Sequence, residues 1–299
     1  VGVMIAFVQY IQTLFEPLKQ LGNKIAMLQG AFTSLERIFA LLDQKVFIQG
    51  SKKLDGINDQ IEVKDLSFRY DPKSQKTILN NVSFSMEKGQ SMALVGRTGS
   101  GKSTIIKLLS KLYDGYTGSI KFDGQDLENI DGQHLRKHIA IVPQDIVLFD
   151  GSILFNITLE QEGVSKEAAI KASKLVGLHP FVEDMEAGYD FKISEEGSNL
   201  SLGQKQLIVF ARALAKDPSL IILDEATSSV DPASERLIQA AIDRILHDRT
   251  VIVIAHRLST IKSCDRILLL SQGQVEESGS HDELIAQEGR YYKLFTSLS

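Results

Sequence analysis

The octapeptide Gly96-Arg97-Thr98-Gly99-Ser100-Gly101-Lys102-Ser103 leaves a chain few ways to fold. It fits G-x-x-x-x-G-K-[ST] and lies between a short apolar run, SMALV, and an amphipathic continuation, STIIKLLSKLY. A strand that enters a glycine-rich turn and leaves as a helix is the setting in which this motif acquires meaning. The glycines let the loop curl until successive backbone N–H groups point inward, forming a cradle for phosphate oxygens. Lys102 brings a point charge to the β- and γ-phosphates, and Ser103 offers a hydroxyl to Mg²⁺. Thr104 follows in the first helical turn, where partial positive charge gathers. The alternative, a Gly/Ser-rich turn with a chance lysine, leaves the flanking strand and helix without explanation.

The rest of the chain repeats that texture. HIAIVPQ, SLIILDE, TVIVIAH and RILLLS are compact apolar runs suited to buried parallel strands. Helical stretches such as LGQKQLIVFARALAK and ASERLIQAAIDRIL separate them. Alternating strands and helices imply an α/β fold, a P-loop NTPase core with a mainly parallel sheet. IEVKDLSFRY and VSFSM lie before that alternation, on either side of a polar turn near Asp71-Pro72, and are expected to form an antiparallel β subdomain.

A second acidic feature fits the phosphate loop. The run Leu220-Ile221-Ile222-Leu223 ends in Asp224-Glu225. Acids at the C-terminal end of such a strand sit at the edge where open α/β sheets bind ligands. Asp224 is expected to hold Mg²⁺, and Glu225 to polarise the attacking water as general base. Two solvated acids at a strand end are the plainer reading. The pair favours nucleotide hydrolysis over binding alone.

Composition narrows the rest. With 43% hydrophobic and 24% charged residues, the chain is neither disordered, collagen-like nor a polytopic membrane protein contained within these residues. Its 299 residues suggest about two structural units. A net charge of -5 carries no basic footprint, so no nucleic-acid partner is expected. Cys264 stands alone, which fits a reducing compartment, and six scattered His give no zinc pattern.

The apolar run from Val1 to Phe15, ending at Glu16-Pro17, is too short for a complete membrane span of roughly 20 residues. It is either a buried core helix or the end of a transmembrane helix. From Lys19 to Leu42, apolar residues recur at helical spacing, and Gln49 to Gln60 is polar with Gly50 and Gly56. Residues 49–60 are therefore expected as a linker between a unit of residues 1–48 and a domain of residues 61–299.

Several further motifs carry a family resemblance over about Ile61 to Ser299. Gln144 in IVPQD resembles the Q-loop of ATP-binding cassette (ABC) ATPases. Leu200-Ser201-Leu202-Gly203-Gln204 is similar to their LSGGQ signature, and Ser228-Ser229-Val230-Asp231 to their D-loop. His256 in IAHRLST matches the switch histidine, and Tyr70 the aromatic that stacks on adenine. The resemblance implies ATP and Mg²⁺ as cofactors, with Gln144 near the metal or water and His256 donating to the γ-phosphate. It also implies a helical signature subdomain in which Ser201, Gly203 and Gln204 serve ATP held by a second cassette. Two chains would then pair head-to-tail around two nucleotides.

Longer phrases, among them LFDGSILFNI, SEEGSNLSLGQKQLIVFARAL and LDEATSSVD, resemble exporter-type cassettes, in which a transmembrane domain precedes the cassette. By that resemblance Val1 to Phe15 ends a last transmembrane helix and Lys19 to Leu42 extends it, so that most of the membrane domain lies outside this sequence. The cassette would face the cytoplasm at a cell (plasma or inner) membrane. Glu195 and Glu196 either meet membrane-domain loops or form a solvated acidic turn. Leu202 departs from the family's first signature glycine, which favours a heterodimer of half-transporters over a homodimer. The rivals are a soluble ABC ATPase acting on nucleic acid or ribosomes, and a separate importer ATPase subunit. Both lack a reason for the apolar helix at residues 1–42. N-x-[ST] matches at Asn81 and Asn156 are expected to be accidental.

Overall fold

The structure, a computed structural model, describes residues 2–43, 50–74, 76–194, 197–224, 231–255 and 257–298. The chain divides into two compact units, Val1–Ile48 and Gln49–Ser299.

The first unit contains one helix, α1 (Gly2–Leu42), with none of its residues buried. At 1.5 Å per residue its 41 residues extend about 62 Å. The two stretches read on either side of Pro17 are thus continuous. Proline cannot donate to the Thr13 carbonyl, so the helix gives up one backbone bond there. Exposed Phe7, Ile11, Leu14, Phe15 and Leu18 make α1 long and apolar enough to cross a membrane.

In the second unit, β3 (Ser91–Val95), β6 (Ile139–Val142), β9 (Leu220–Asp224), β10 (Thr250–Ile254) and β11 (Arg266–Ser271) run parallel. β12 (Gln274–Gly279) adds an antiparallel edge, giving the order β12-β11-β3-β10-β9-β6. Alternation explains why these strands read as unbroken apolar runs. Met92, Leu94, Ile222 and Ile252 enter one core, whereas Ala93, Val95, Ile221 and Val253 enter the other.

The first core is closed by a second sheet of β1 (Gln60–Phe68), β2 (Leu79–Glu87), β4 (Thr117–Phe122) and β5 (Gln125–Asp126), in the antiparallel order β2-β1-β4-β5. α2 (Lys102–Leu109) and α3 (Gly132–His138) contribute Ile105, Leu108 and Leu135 to it. The polar stretch before β1 is irregular chain, yet Leu54 and Ile57 are buried in this core. Asp123 accepts from the N–H groups of Asn58, Asp59 and Gln60 at 2.7, 2.9 and 3.1 Å, which anchors the entry to β1.

The other face carries a helical layer. It comprises α4 (Ile153–Thr158), α5 (Lys166–Val176), α6 (His179–Glu183), α7 (Leu202–Leu214) and α8 (Pro232–Asp248), with the short pair β7 (Gly151–Ser152) and β8 (Lys192–Ile193). α9 (Leu258–Lys262), α10 (His281–Ala286) and α11 (Arg290–Leu298) complete the chain. The fold is thus α/β, a mainly parallel sheet with an antiparallel subdomain and a helical layer, with a long helix at the N-terminus of the chain.

Candidate functional site

The parallel strands all end at one edge, and the register brings the candidate residues level there. Ile254 pairs with both Leu94 and Asp224, and Val142 pairs with Leu223. One residue beyond Leu94, β3 ends and the glycine loop begins; Gln144 stands two residues past β6. This is the edge at which an open α/β sheet meets its ligand.

The loop of residues 96–101 links fully buried β3 to α2. Gly96 has φ 153°, and a Cβ there would lie 2.3 Å from the carbonyl oxygen of Leu270, so the loop presses directly on β11. Gly99 and Gly101 also lie at positive φ, and Arg97 and Thr98 are exposed between Gly96 and Gly99. Lys102 opens α2 and is only 7% exposed. Its Nζ donates to the carbonyls of Gly96 at 2.7 Å and Arg97 at 3.2 Å, which holds the ammonium across the loop. Burial pushes the lysine below its ordinary range, and the charge of Asp224 acts in the opposite direction. Ser100 Oγ is buried and has no hydrogen-bond partner among the described residues. A phosphate oxygen within the loop would satisfy it, so the cradle fits a polyphosphate on its own geometry.

Ser103 is exposed at the start of α2, and Thr104 is buried behind it. Thr104 Oγ1 lies 3.1 Å from the hydroxyl of Tyr70, so the aromatic assigned to the base is tied to the phosphate helix. A cleft of about 630 Å³ is lined by the loop together with Leu270, Gln272, Glu276 and Arg290. The residues expected to hold Mg²⁺ supply a hydroxyl (Ser103), a carboxylate (Asp224) and an amide (Gln144, exposed). All three offer hard oxygen donors, which is the set this cation takes.

The signature residues sit elsewhere, at the start of α7. Ser201 Oγ accepts from the Gln204 N–H at 3.2 Å, and Gln204 Oε1 accepts from the Ser201 N–H at 3.0 Å. This capping box uses the Gln204 side-chain oxygen and fixes the helix start, with the Ser201 hydroxyl acting there as an acceptor. Gly203 is buried where a Cβ would come within 3.0 Å of Ser234 on α8. Leu202 is 38% exposed. Among the described residues no hydrogen bond joins this helix start to the phosphate loop.

Glu225, Ser228, Ser229, Val230, His256, Glu195 and Glu196 lie outside the described residues. Asp231, the last D-loop residue, caps α8 by accepting from the N–H groups of Ala233 and Ser234, which holds its carboxyl below the usual range.

Two residues close to this machinery escape sequence reasoning. Asn156 is wholly buried, and its Nδ2 donates to the carbonyls of Phe149 and Ser152, so the glycosylation match there is an accident of spelling. Tyr113 packs beside Tyr70 with ring centroids 5.0 Å apart, although 43 positions separate them in sequence. No local pattern announces either contact.

Comparison with known proteins agrees with this architecture. Residues 79–228 match the family model described as ABC transporter. Over 296 residues the chain is 42% identical to the probable multidrug resistance ABC transporter ATP-binding/permease protein YheH of Bacillus subtilis, covering 99% of this chain and 44% of that one. It is also 42% identical to the ATP-dependent lipid A-core flippase of Pseudomonas aeruginosa, covering 98% and 49%. The solved structure of a bacterial Atm1-family ABC exporter with ATP bound is similar at TM-score 0.77 and 34% identity, covering 99% of this chain and 52% of that one. The chain therefore spans about half the length of the relatives it matches. With half of its residues under that family's model and a phosphate loop seated where an ATP-binding cassette needs it, the chain belongs to the ABC transporter family.

Proposed function

We propose that this chain is the ATP-hydrolysing part of an exporter-type half-transporter. The observation that carries the reading is Lys102, held across the phosphate loop, with the charge of Asp224 acting on it from the end of β9, two strands from β3.

In this reading backbone N–H groups of the loop bind the β- and γ-phosphates, and Lys102 turns its ammonium onto them. Tyr70 stacks on the base. Ser103, Asp224 and Gln144 hold Mg²⁺, which when bound neutralises charge on the transferring phosphoryl group. Glu225 takes the proton of the attacking water, and His256 donates to the γ-phosphate. Ser201, Gly203 and the start of α7 face the nucleotide of a second cassette, so each site needs two chains. Leu202 places an apolar side chain where the family has glycine, which favours a different half-transporter as the partner.

The N-terminal unit is then the end of a transmembrane domain, and the cassette works on the cytoplasmic face of a cell membrane. The exposed apolar surface of α1 and the match of 99% of this chain to an ATP-binding/permease protein and 98% to a flippase support this. The native chain, detected in cell fractions with an antibody to residues 61–299, should be about twice this length and leave the membrane only with detergent. A soluble chain of about this size would overturn the exporter assignment.

A further inference from the structure

Three aromatic rings meet beside α2 in an arrangement that the roles above do not use. Phe68 is buried at the end of β1, whereas Tyr70 and Tyr113 are 44% and 42% exposed. The Phe68 and Tyr70 centroids lie 5.1 Å apart with planes at 83°, and those of Tyr70 and Tyr113 lie 5.0 Å apart at 82°. Phe68 and Tyr113 close the triangle at 6.0 Å and 66°. Every pair is edge-to-face, the arrangement that ring quadrupoles favour. Lys107 of α2 places Nζ 5.6 Å from the Tyr70 centroid and 5.8 Å from that of Tyr113, within the range of a cation–π contact.

Tyr70 lies beyond the last residue of β1, where no strand ladder fixes it. Its orientation comes instead from side chains. The hydroxyl is tied to Thr104 at one end, and the ring is wedged between Phe68 and Tyr113. A half-exposed tyrosine without such support would have to be ordered by its ligand, at a cost in affinity.

We infer that Tyr113 is a positioning residue for the nucleotide base: it holds Tyr70 in the orientation that stacks on a purine, with Lys107 bracing both rings. This rests on the reading that Tyr70 is the base-stacking residue. Tyr113 touches neither phosphate nor metal, so its removal is felt only by ligands that carry a base. The support comes from the ring and not from the hydroxyl, since no hydrogen bond of Tyr113 takes part in the wedge.

The test measures the affinity of the full chain for ATP and for inorganic tripolyphosphate, with kcat and KM for ATP. Tyr113→Leu should raise the Kd and KM for ATP about three- to tenfold, the scale of ordering one side chain at binding. The tripolyphosphate affinity and kcat should be unchanged, and Tyr113→Phe should restore ATP affinity. Equal loss for both ligands would show that Tyr113 merely supports the loop, and the inference would fall. Lys102→Ala separates loss of the phosphate site from loss of the positioning contact. If it loses both ligands while Tyr113→Leu binds ATP normally, the phosphate site stands and the positioning role is wrong. If Lys102→Ala keeps both ligands, the phosphate reading itself fails.

Discussion

The guanidinium of Arg212 grips Asn156 twice: Nε donates to its carbonyl at 2.7 Å, and Nη2 reaches its side-chain Oδ1 at 3.3 Å. Nη1 donates to the Val147 carbonyl at 2.9 Å, and the group lies 5.7 Å from the ring centre of Phe149. One residue of the signature helix α7 thereby holds the segment that follows Gln144. Asn156 Oδ1 also accepts the Phe149 N–H at 2.8 Å, so the segment is fixed from both sides. Asn156→Ala would leave these buried groups without partners, at a cost of about 1–3 kcal/mol. Urea denaturation should read this as a lower midpoint.

Lys102 trades stability for binding. Its pKa is lowered in the folded chain, chiefly by burial, so the unfolded chain holds the proton more readily. The cost of burying the charge is therefore present at neutral pH and is relieved only as pH rises toward 10.5. The bonds to Gly96 and Arg97 offset part of it. Lys102→Met should raise the melting temperature of the nucleotide-free chain and weaken ATP binding by about 10- to 100-fold, as loss of a charged hydrogen-bond donor implies. A lower melting temperature with intact ATP affinity would contradict this.

Neighbouring signature positions should respond in opposite directions. Gly203 abuts Ser234, so Gly203→Ala must push α7 from α8 and should lower both stability and turnover. Leu202 is half-exposed in the first turn of α7, and Leu202→Gly should cost only about 0.5–1 kcal/mol of helix stability. Turnover by purified Leu202→Gly should rise if the leucine restrains the nucleotide held in trans. Unchanged turnover would mark the leucine as neutral and remove the argument for a heterodimer.

Acid should loosen the C-terminal helices. His281 Nδ1 is 2.8 Å from the hydroxyl of Tyr291, a wholly buried phenol that burial pushes up to about 12. Burial lowers the His281 pKa from its ordinary 6.5, Lys262 adds to this, and Asp282 opposes it. With the folded value depressed, the unfolded chain takes up the proton first as pH falls. The contribution is complete above 6.5 and is lost on acidification below it. Between about pH 7.5 and 5.5 the wild-type urea midpoint should fall, and that of His281→Asn should fall less.

Much of this architecture is legible in the sequence for a physical reason. β3, β9 and β10 are buried on both faces, which forces short unbroken apolar runs, and the Gly or acidic residues that close β3 and β9 set these apart from the similar run Leu207–Ala211 inside α7. β4 and β12 escape notice because only Ile120 and Phe122 of one, and Gly279 of the other, are buried. Leu54 and Ile57 sit in a polar stretch whose composition hides their burial. The phosphate loop is contiguous and announces itself. Tyr113, Arg212 and Asn156 act through contacts made only by the folded chain, and a sequence pattern carries no trace of them.

The proposed mechanism has ATP bound at the Gly96–Ser103 loop and hydrolysed with Glu225 as base. The most direct measurement compares ATP turnover and ATP affinity for the purified chain and its Glu225→Gln variant, both with Mg²⁺. The expected result is unchanged ATP affinity with turnover reduced by about 100-fold or more, the scale of a lost general base. Turnover near that of the unaltered chain would contradict it.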